Sequence, residues 1–219
     1  MPIVRSTRRA ALALRTQAAT VGAPVIAGWA VFVTNAAIGG GLIQYGVVPR
    51  TVTGLRGILF APFLHGSLEH IAANTIPFLV LGWLVLVRDA RHFISVTLAA
   101  MLGAGLMSWL LGASSSVHIG ASGVIFGYLG FLMLSGWFAR SFGSILLSLA
   151  ITALWGGLVF GVLPGQAGIS WQAHLGGFLG GVLAAPLVTA CASTAFMRAM
   201  AQNRLTAVGR VAAMTSHNR

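Results

Sequence analysis

A serine flanked by glycines and a histidine close to a glycine pair are the residues of this chain best suited to chemistry. Ser122 lies in the sequence Gly-Ala-Ser-Gly at 120–123, and His174 stands three residues before Gly177. An imidazole that accepts the hydroxyl proton makes serine a nucleophile, and the same imidazole can return the proton to a leaving amine. Taken alone, each motif also suits close helix packing, for which small and polar residues are common in membranes.

A second polar pair, His70 and Asn74, is spaced so that both side chains share one face of a helix. Both side chains can donate hydrogen bonds to an anion. A zinc site is the competing interpretation, because His65 and Glu69 stand nearby. The spacing fits neither His-Glu-x-x-His nor its inverted form, so we predict that no metal is bound.

Lipid is the expected environment of these residues. The chain of 219 residues is 57% hydrophobic and 7% charged, with a mean hydropathy of +0.91, which is far from the balance of a soluble domain. Six apolar runs are each close to the roughly 20 residues that a helix needs to cross a bilayer. They are 24–44, 64–87, 92–111, 122–138, 144–162 and 171–191. The sequence therefore predicts an all-α membrane protein, a bundle of six transmembrane helices.

The arginines give the bundle an orientation. With the amino terminus in the cytoplasm, all of the 13 basic residues except Arg50 and Arg56 fall on the cytoplasmic side, as the positive-inside rule requires. We predict a basic cytoplasmic segment at 1–23, a membrane domain at 24–192 and a basic cytoplasmic tail at 193–219. The first apolar run is longer than a signal-peptide core, so we interpret it as a span. Because the arginines lie at helix ends and tails, we expect anionic lipid as their partner and no nucleic acid.

This orientation brings the polar groups to one level of the membrane. The second, fourth and sixth runs then start at the outer face, and all four polar residues lie in the first turns of these runs. At about 1.5 Å rise per residue, they share a similar depth. Together they have the parts of acyl transfer, with Ser122 as nucleophile and His174 as base. The Ser122 N–H, the Asn74 amide and the His70 imidazole would then donate to the oxyanion.

In combination, the motifs resemble those of the rhomboid family of intramembrane serine proteases. The likeness covers roughly 56–187, in family order and with the family's spacing between spans. It rests on His65-x4-His70-x3-Asn74, on Gly120-Ala121-Ser122-Gly123 and on Ala173-His174-x2-Gly177-x3-Gly181. The resemblance implies a six-helix core with a Ser–His dyad, without a catalytic carboxylate, that cleaves membrane-anchored substrate proteins near the outer face. It implies no metal or organic cofactor.

The two acidic residues and one aromatic residue fit this resemblance. Glu69 lies beside an oxyanion candidate and Asp89 is predicted on the cytoplasmic side, so neither is placed to orient His174. Phe126 lies one helical turn after Ser122 and matches the family position whose aromatic ring packs against the catalytic histidine. An ordinary core or lipid-facing phenylalanine is the alternative. The expected supporting residues of the site are Gly120, Ala121, Gly123, Phe126, Gly177 and Gly181.

The alternative from another functional class is a non-catalytic rhomboid-like scaffold or a transporter. Transporters commonly show internal repeats or paired broken helices, and this chain shows no convincing repeat. A silent scaffold would be expected to lack Ser122 or His174. We therefore predict a serine-type endopeptidase, multi-pass in a bacterial inner membrane, whose connector at 164–170 caps a hydrated cavity. The sequence favours no particular oligomeric state.

Overall fold

The described part of the chain contains seven α-helices. The computed structural model describes residues 2–88, 90–166 and 168–187. The helices are α1 (Pro2–Ala37), α2 (Gly57–Phe60), α3 (Leu68–Leu86), α4 (Ala90–Leu111), α5 (Ser122–Ala139), α6 (Phe142–Trp155) and α7 (171–187). Short 3-10 helices lie at Gly41–Tyr45, Thr53–Arg56, Ala61–Phe63 and Gly156–Val162.

The prediction of an all-α membrane protein is confirmed. Five of the described segments are long and apolar enough to cross a membrane, namely Ala11–Ala37, Leu68–Leu86, Phe93–Leu111, Ser122–Ala139 and Phe142–Val162. The predicted sixth span coincides with α7, which the structure describes as far as residue 187. A count of six spans stays a prediction. Asp89 and the predicted cytoplasmic tail at 193–219 lie outside the described residues.

The first span lies earlier in the chain than predicted. We predicted 24–44, whereas the candidate span is Ala11–Ala37 within α1. Glycines end the helix, because Gly39 and Gly40 have φ angles of 81° and 91°, which other residues rarely adopt. The helix starts early because the stretch before the predicted span is rich in alanine, the best helix former.

The fifth span changes its helix type before it ends. We predicted one helix at 144–162, but α6 ends at Trp155 and the 3-10 helix Gly156–Val162 follows it. Two adjacent glycines, Gly156 and Gly157, are poor α-helix formers and favour the change at this point. The consequence is that the carbonyl group of Gly161 contacts a side chain of α7.

α5 lies at the centre of the bundle. Its sequence is apolar on every side, which is typical of a helix that other helices surround. It packs against α3, α4 and α6, and 67% of it is buried. Its side chains Tyr128, Leu129, Phe131 and Leu132 are among the largest that are fully buried. The start of α5 is therefore held by one of the most firmly packed elements of the protein.

Two pairs of glycines fit α7 closely between α4 and α5. Gly176 and Gly180 face α4, whereas Gly177 and Gly181 face α5. A Cβ atom at any of these four positions would overlap a backbone carbonyl oxygen of the neighbouring helix. The spacing of four residues keeps each pair on one helical face, so two backbones approach α7 at once. This packing fixes the depth of α7 relative to α5.

The segment between α1 and α3 packs on the connection from α4 to α5. Val47 and His118 form an antiparallel bridge in which both N–H···O distances are 2.9 Å. The Arg50 guanidinium donates to the carbonyl oxygens of Leu110 at 3.1 Å and Gly112 at 2.8 Å. These carbonyls lie at the carboxyl end of α4, where a helix has acceptors without internal partners. Arg50 therefore joins the two segments.

Candidate active site

Ser122 and His174 are in direct contact. The Nε2 atom of His174 lies 2.8 Å from the Oγ atom of Ser122. Its Nδ1 atom lies 2.9 Å from the carbonyl oxygen of Gly161. Because a carbonyl oxygen can only accept, Nδ1 carries the ring proton and donates it. The neutral Nε2 then accepts the hydrogen bond from the Ser122 hydroxyl, which is the arrangement that a general base needs.

A tight turn presents Ser122 at the amino end of α5. Gly120 has a φ angle of 111°, which favours glycine over any residue with a side chain. Its N–H donates to the carbonyl oxygen of Ala61 at 2.8 Å, and the Ala121 N–H donates to Nε2 of His65 at 3.4 Å. Since Ser122 is the first residue of α5, its own N–H has no acceptor within the helix. That N–H can serve an anion in the site.

His65 holds the serine turn as a neutral base. The side chain is only 4% exposed, precedes α3 and lies outside the candidate spans. Burial, together with the neighbouring His70 ring, lowers the pKa of His65 to about 4. The ring is therefore uncharged at neutral pH, and its Nε2 can accept the hydrogen bond from Ala121. The sequence indicated His65 as part of a motif. The contact between its Nε2 and the Ala121 N–H was not predicted.

His70 and Asn74 lie on α3 beside the serine turn. Ser67 caps α3 by accepting a hydrogen bond from the His70 N–H at 3.2 Å. The Asn74 amide donates to the carbonyl oxygen of His70 at 3.0 Å, and its second N–H is available to another acceptor. A Cβ atom at Gly120 would stand 2.6 Å from the His70 Nε2 and 3.8 Å from the Asn74 Nδ2. Glycine at 120 therefore keeps the space in front of both donors open.

The ring of Phe126 stacks on the ring of His174. The two ring centroids are 4.1 Å apart and the ring planes differ by 12°. Phe126 is 4% exposed, so it presents a fixed flat surface to the imidazole. Gly161 packs beside both rings, because a Cβ atom there would lie 2.9 Å from the Phe126 ring and 3.2 Å from His174 Nδ1. His174 is thus held by a hydrogen bond, a ring and a glycine.

The remaining predicted supporting residues lie where α5 meets α7. Gly123 follows Ser122, and its carbonyl oxygen contacts Gly177, three residues after His174. Gly181 repeats the contact one turn further along α7 against Gly127. The backbones of the two helices therefore meet within a few residues of Ser122 and His174.

The side chains of Ser122 and His174 border a cavity of about 940 Å³. His70 and Asn74 line the same cavity, so the structure brings together all four polar residues that the sequence pointed to. The predicted connector at 164–170 borders the cavity through Gln166, Gly168, Ile169 and Ser170. Gly165 and Gly168 have φ angles of 96° and 73°, so the connector turns sharply at two points.

Besides the His65 contact, two features of the site were not predicted from the sequence. The group on Nδ1 of His174 is a backbone carbonyl, and every residue has one, so nothing in the sequence marks Gly161. The second feature is a hydrogen bond between His118 Nδ1 and Ser170 Oγ, 2.6 Å long. The spacing in the sequence could have indicated this contact. His118 lies four positions before Ser122, and Ser170 lies four positions before His174.

Comparisons with known proteins agree with the geometry. A family model described as Rhomboid domain matches residues 52–191. Uncharacterized proteins of Mycobacterium bovis and Mycobacterium tuberculosis are each 42% identical over 153 residues, which is 66% of this chain and 64% of each relative. An uncharacterized protein of Mycobacterium leprae is 44% identical over 144 residues, which is 62% of this chain and 57% of the relative. The chain thus spans less than two thirds of the length of these relatives. It belongs to the rhomboid family.

Proposed function

We propose that this chain is an intramembrane serine endopeptidase that cleaves transmembrane substrate proteins with a Ser122–His174 dyad. The observation that carries the proposal is the 2.8 Å contact between His174 Nε2 and Ser122 Oγ, with Nδ1 bonded to Gly161. The arrangement gives the serine a base of defined tautomer. A histidine that served only helix packing would have no need of a serine hydroxyl at the mouth of a cavity.

The reaction follows from the hydrogen bonds. As Ser122 Oγ forms a bond to the scissile carbonyl carbon, its proton moves to His174 Nε2. The imidazolium then gives this proton to the amide nitrogen, and the C–N bond breaks. The amine product leaves, and the acyl group stays on Ser122 as an ester. A water molecule then attacks the ester carbonyl carbon as one of its protons moves to the same Nε2. The bond between that carbon and Ser122 Oγ breaks, Nε2 returns the proton to Oγ, and the acid product leaves. Through every step the Nδ1–H donates to the Gly161 carbonyl oxygen, which keeps the ring in place.

Three donors are suited to the oxyanion that forms in each half of the reaction. The Ser122 N–H lies at a helix amino end, where the helix dipole favours negative charge. The second N–H of Asn74 and the imidazole of His70 border the same cavity. The N–H groups of Gly120 and Ala121 bind Ala61 and His65 instead, which leaves these three for the substrate.

The substrate class follows from the position of the site in a membrane protein. An extended peptide cannot lie exposed to lipid, because its backbone groups would lack partners. A transmembrane substrate must therefore unwind locally so that its scissile bond enters the cavity. The arginine distribution supports an amino terminus in the cytoplasm and a cavity near the outer face. The membrane we propose is a bacterial inner membrane with anionic lipid.

The test is cleavage of a reporter by the purified protein in liposomes. The reporter has one transmembrane helix with glycines in its outer quarter, so that it unwinds easily. We expect cleavage at a single peptide bond, which gives two fragments. A fluorophosphonate probe should label Ser122 and stop cleavage. A matched reporter with leucines in place of the glycines should be cleaved more slowly. Labelling at another serine, or cleavage that continues after Ser122 is labelled, would contradict the proposal.

Phe126→Ala is expected to lower kcat about tenfold with little change in KM, because the imidazole loses its flat support and its near-attack geometry is less well held. The measurement is the initial rate of reporter cleavage over a range of substrate densities in the liposome. Phe142→Ala is the matched control, since it removes a phenylalanine ring that is 83% exposed at the start of α6. A Phe126→Ala protein as fast as the wild type would rule out the orienting role.

A further inference from the structure

A second histidine–serine contact is made by the residues that lie four positions before the members of the proposed dyad. His118 precedes Ser122 by four residues, and Ser170 precedes His174 by four, so each pair is separated by 52 residues. In the second pair the histidine belongs to the connection before α5 and the serine to the start of α7. The distance between His118 Nδ1 and Ser170 Oγ is 2.6 Å. The two contacts therefore join the amino ends of α5 and α7, with the histidine and the serine exchanged.

Ser170 is the cap of the helix that carries His174. Its Oγ accepts a hydrogen bond from the Ala173 N–H at 3.3 Å, which is the usual bond of an N-cap serine. Its carbonyl oxygen accepts from the His174 N–H at 3.1 Å. Any displacement of Ser170 would therefore be passed on to the first turn of α7, and His174 lies in that turn.

His118 cannot easily follow such a displacement. Its side chain is 9% exposed, and its backbone N–H and carbonyl pair with Val47 on both sides, at 2.9 Å each. A Cβ atom at Gly112 would overlap the His118 ring, so the end of α4 packs directly against it. Burial also lowers the pKa of His118, which favours the neutral ring. His118 is a fixed point to which Ser170 is attached.

For each hydrogen bond around His118, the donor and the acceptor can be assigned without conflict. The Ser116 hydroxyl donates to the carbonyl oxygen of Ala113 at 2.6 Å, so its oxygen is left to accept from His118 Nε2 at 2.9 Å. With the ring proton on Nε2, Nδ1 must accept, and the Ser170 hydroxyl is the donor. Ser170 can fill this role because its cap bond uses the oxygen and not the hydrogen. Every donor in this chain of bonds has an acceptor.

We infer that His118 and Ser170 form a positioning pair that sets the start of α7 relative to α5 and so keeps His174 Nε2 within reach of Ser122 Oγ. The inference rests on the proposed function of the dyad. Neither residue needs to touch the substrate for this effect. The pair also anchors the carboxyl end of the connector at 164–170, so the connector is tied at the residue next to the catalytic helix.

The test compares two N-cap serines. Ser141 caps α6 by accepting from the Ser144 N–H at 3.3 Å, and no contact of its side chain reaches the site. Ser170→Ala is expected to slow fluorophosphonate labelling of Ser122 by about tenfold, whereas Ser141→Ala should slow it by less than about twofold. Ser170→Thr keeps both hydrogen bonds and should restore labelling. For reporter cleavage, Ser170→Ala should lower kcat and leave KM within about twofold.

A double variant tests whether the two residues act through each other. His118→Ala alone should slow labelling about as much as Ser170→Ala, and the double variant should be no slower than either. All rates are measured well below the unfolding midpoint of each variant. If His118→Ala does not fold, the comparison of Ser170→Ala with Ser170→Thr and Ser141→Ala decides the matter.

Four results would overturn the inference. They are unchanged labelling of Ser170→Ala, an equal loss in Ser141→Ala, additive losses in the double variant, and a rise in KM at constant kcat, which would indicate a substrate contact. Absence of labelling at Ser122 in the wild type would be a different failure, because it would remove the proposed function itself and the positioning pair with it.

Discussion

Replacing Ser122 with alanine is expected to reduce reporter cleavage by at least about 1,000-fold, because among the described residues Ser122 is the serine whose hydroxyl is bonded to His174 Nε2. His174→Ala should cost about the same, since without the imidazole the hydroxyl proton has no acceptor. The double variant should be no slower than either single variant, because the two side chains act as a unit. The measurement is the initial rate of cleavage of the glycine-containing reporter in liposomes.

Ser95→Ala is the matched control for this series. Ser95 is exposed on α4, away from the cavity that contains the dyad, so its removal should leave the rate unchanged. Ser122→Ala should also unfold at the same temperature as the wild type within a few degrees, since it loses a single hydrogen bond. His174→Ala loses two hydrogen bonds and the stacking on Phe126, so a somewhat lower unfolding temperature is expected for it. Residual cleavage of more than about one hundredth of the wild-type rate in Ser122→Ala would show that another nucleophile does the chemistry.

Gly181→Ala is expected to be among the most destabilising single substitutions in the chain, at about 4 kcal/mol or more. The added methyl group would overlap the carbonyl oxygen of Gly127, which is backbone of the central helix and cannot rotate away as a side chain can. The helix α7 must then move outward, and the contact between His174 and Ser122 is lost with it. The midpoint of thermal unfolding in detergent and the rate of probe labelling report the two consequences separately.

Gly28→Ala provides the comparison, because it adds the same methyl group within α1, where nothing lies within 4 Å of the new atom. Alanine has the higher helix propensity, so this variant should be as stable as the wild type or slightly more stable. A Gly181→Ala protein with wild-type stability would mean that α5 and α7 do not meet backbone to backbone. Equal losses in both variants would mean that glycine is needed for a reason other than close packing.

The helices could be predicted from the sequence because lipid imposes a strict length on them. The predicted bounds of the runs at 92–111 and 122–138 differ from α4 and α5 by at most two residues at either end. The first run is the instructive failure. Its hydropathy continues past Gly39 and Gly40, and only their left-handed backbone ends α1 at Ala37. Hydropathy measures the cost of burial in lipid and contains no information about φ.

The site could be predicted only as far as side chains determine it. Ser122 and His174 are recognisable because they share a predicted depth with His70 and Asn74, which helix packing alone would not require. The groups that hold them are largely backbone, such as the Gly161 carbonyl on Nδ1 and the Ala121 N–H on His65. Backbone groups are the same in every residue, so their role depends on a fold that the sequence does not show directly.

The carbonyl at Gly161 has a genetic consequence. In a Ser-His-Asp protease the group that orients the histidine is a side chain, so a single substitution can delete it. Here that group cannot be deleted by any substitution, because every amino acid supplies a carbonyl. A mutational scan of residues 156–162 would register only the steric effect of new side chains. Insertion or loss of one residue in that 3-10 helix, by contrast, would rotate the oxygen away from Nδ1. The presence of the carbonyl is thus protected against point mutation, whereas its position is vulnerable to a change in length.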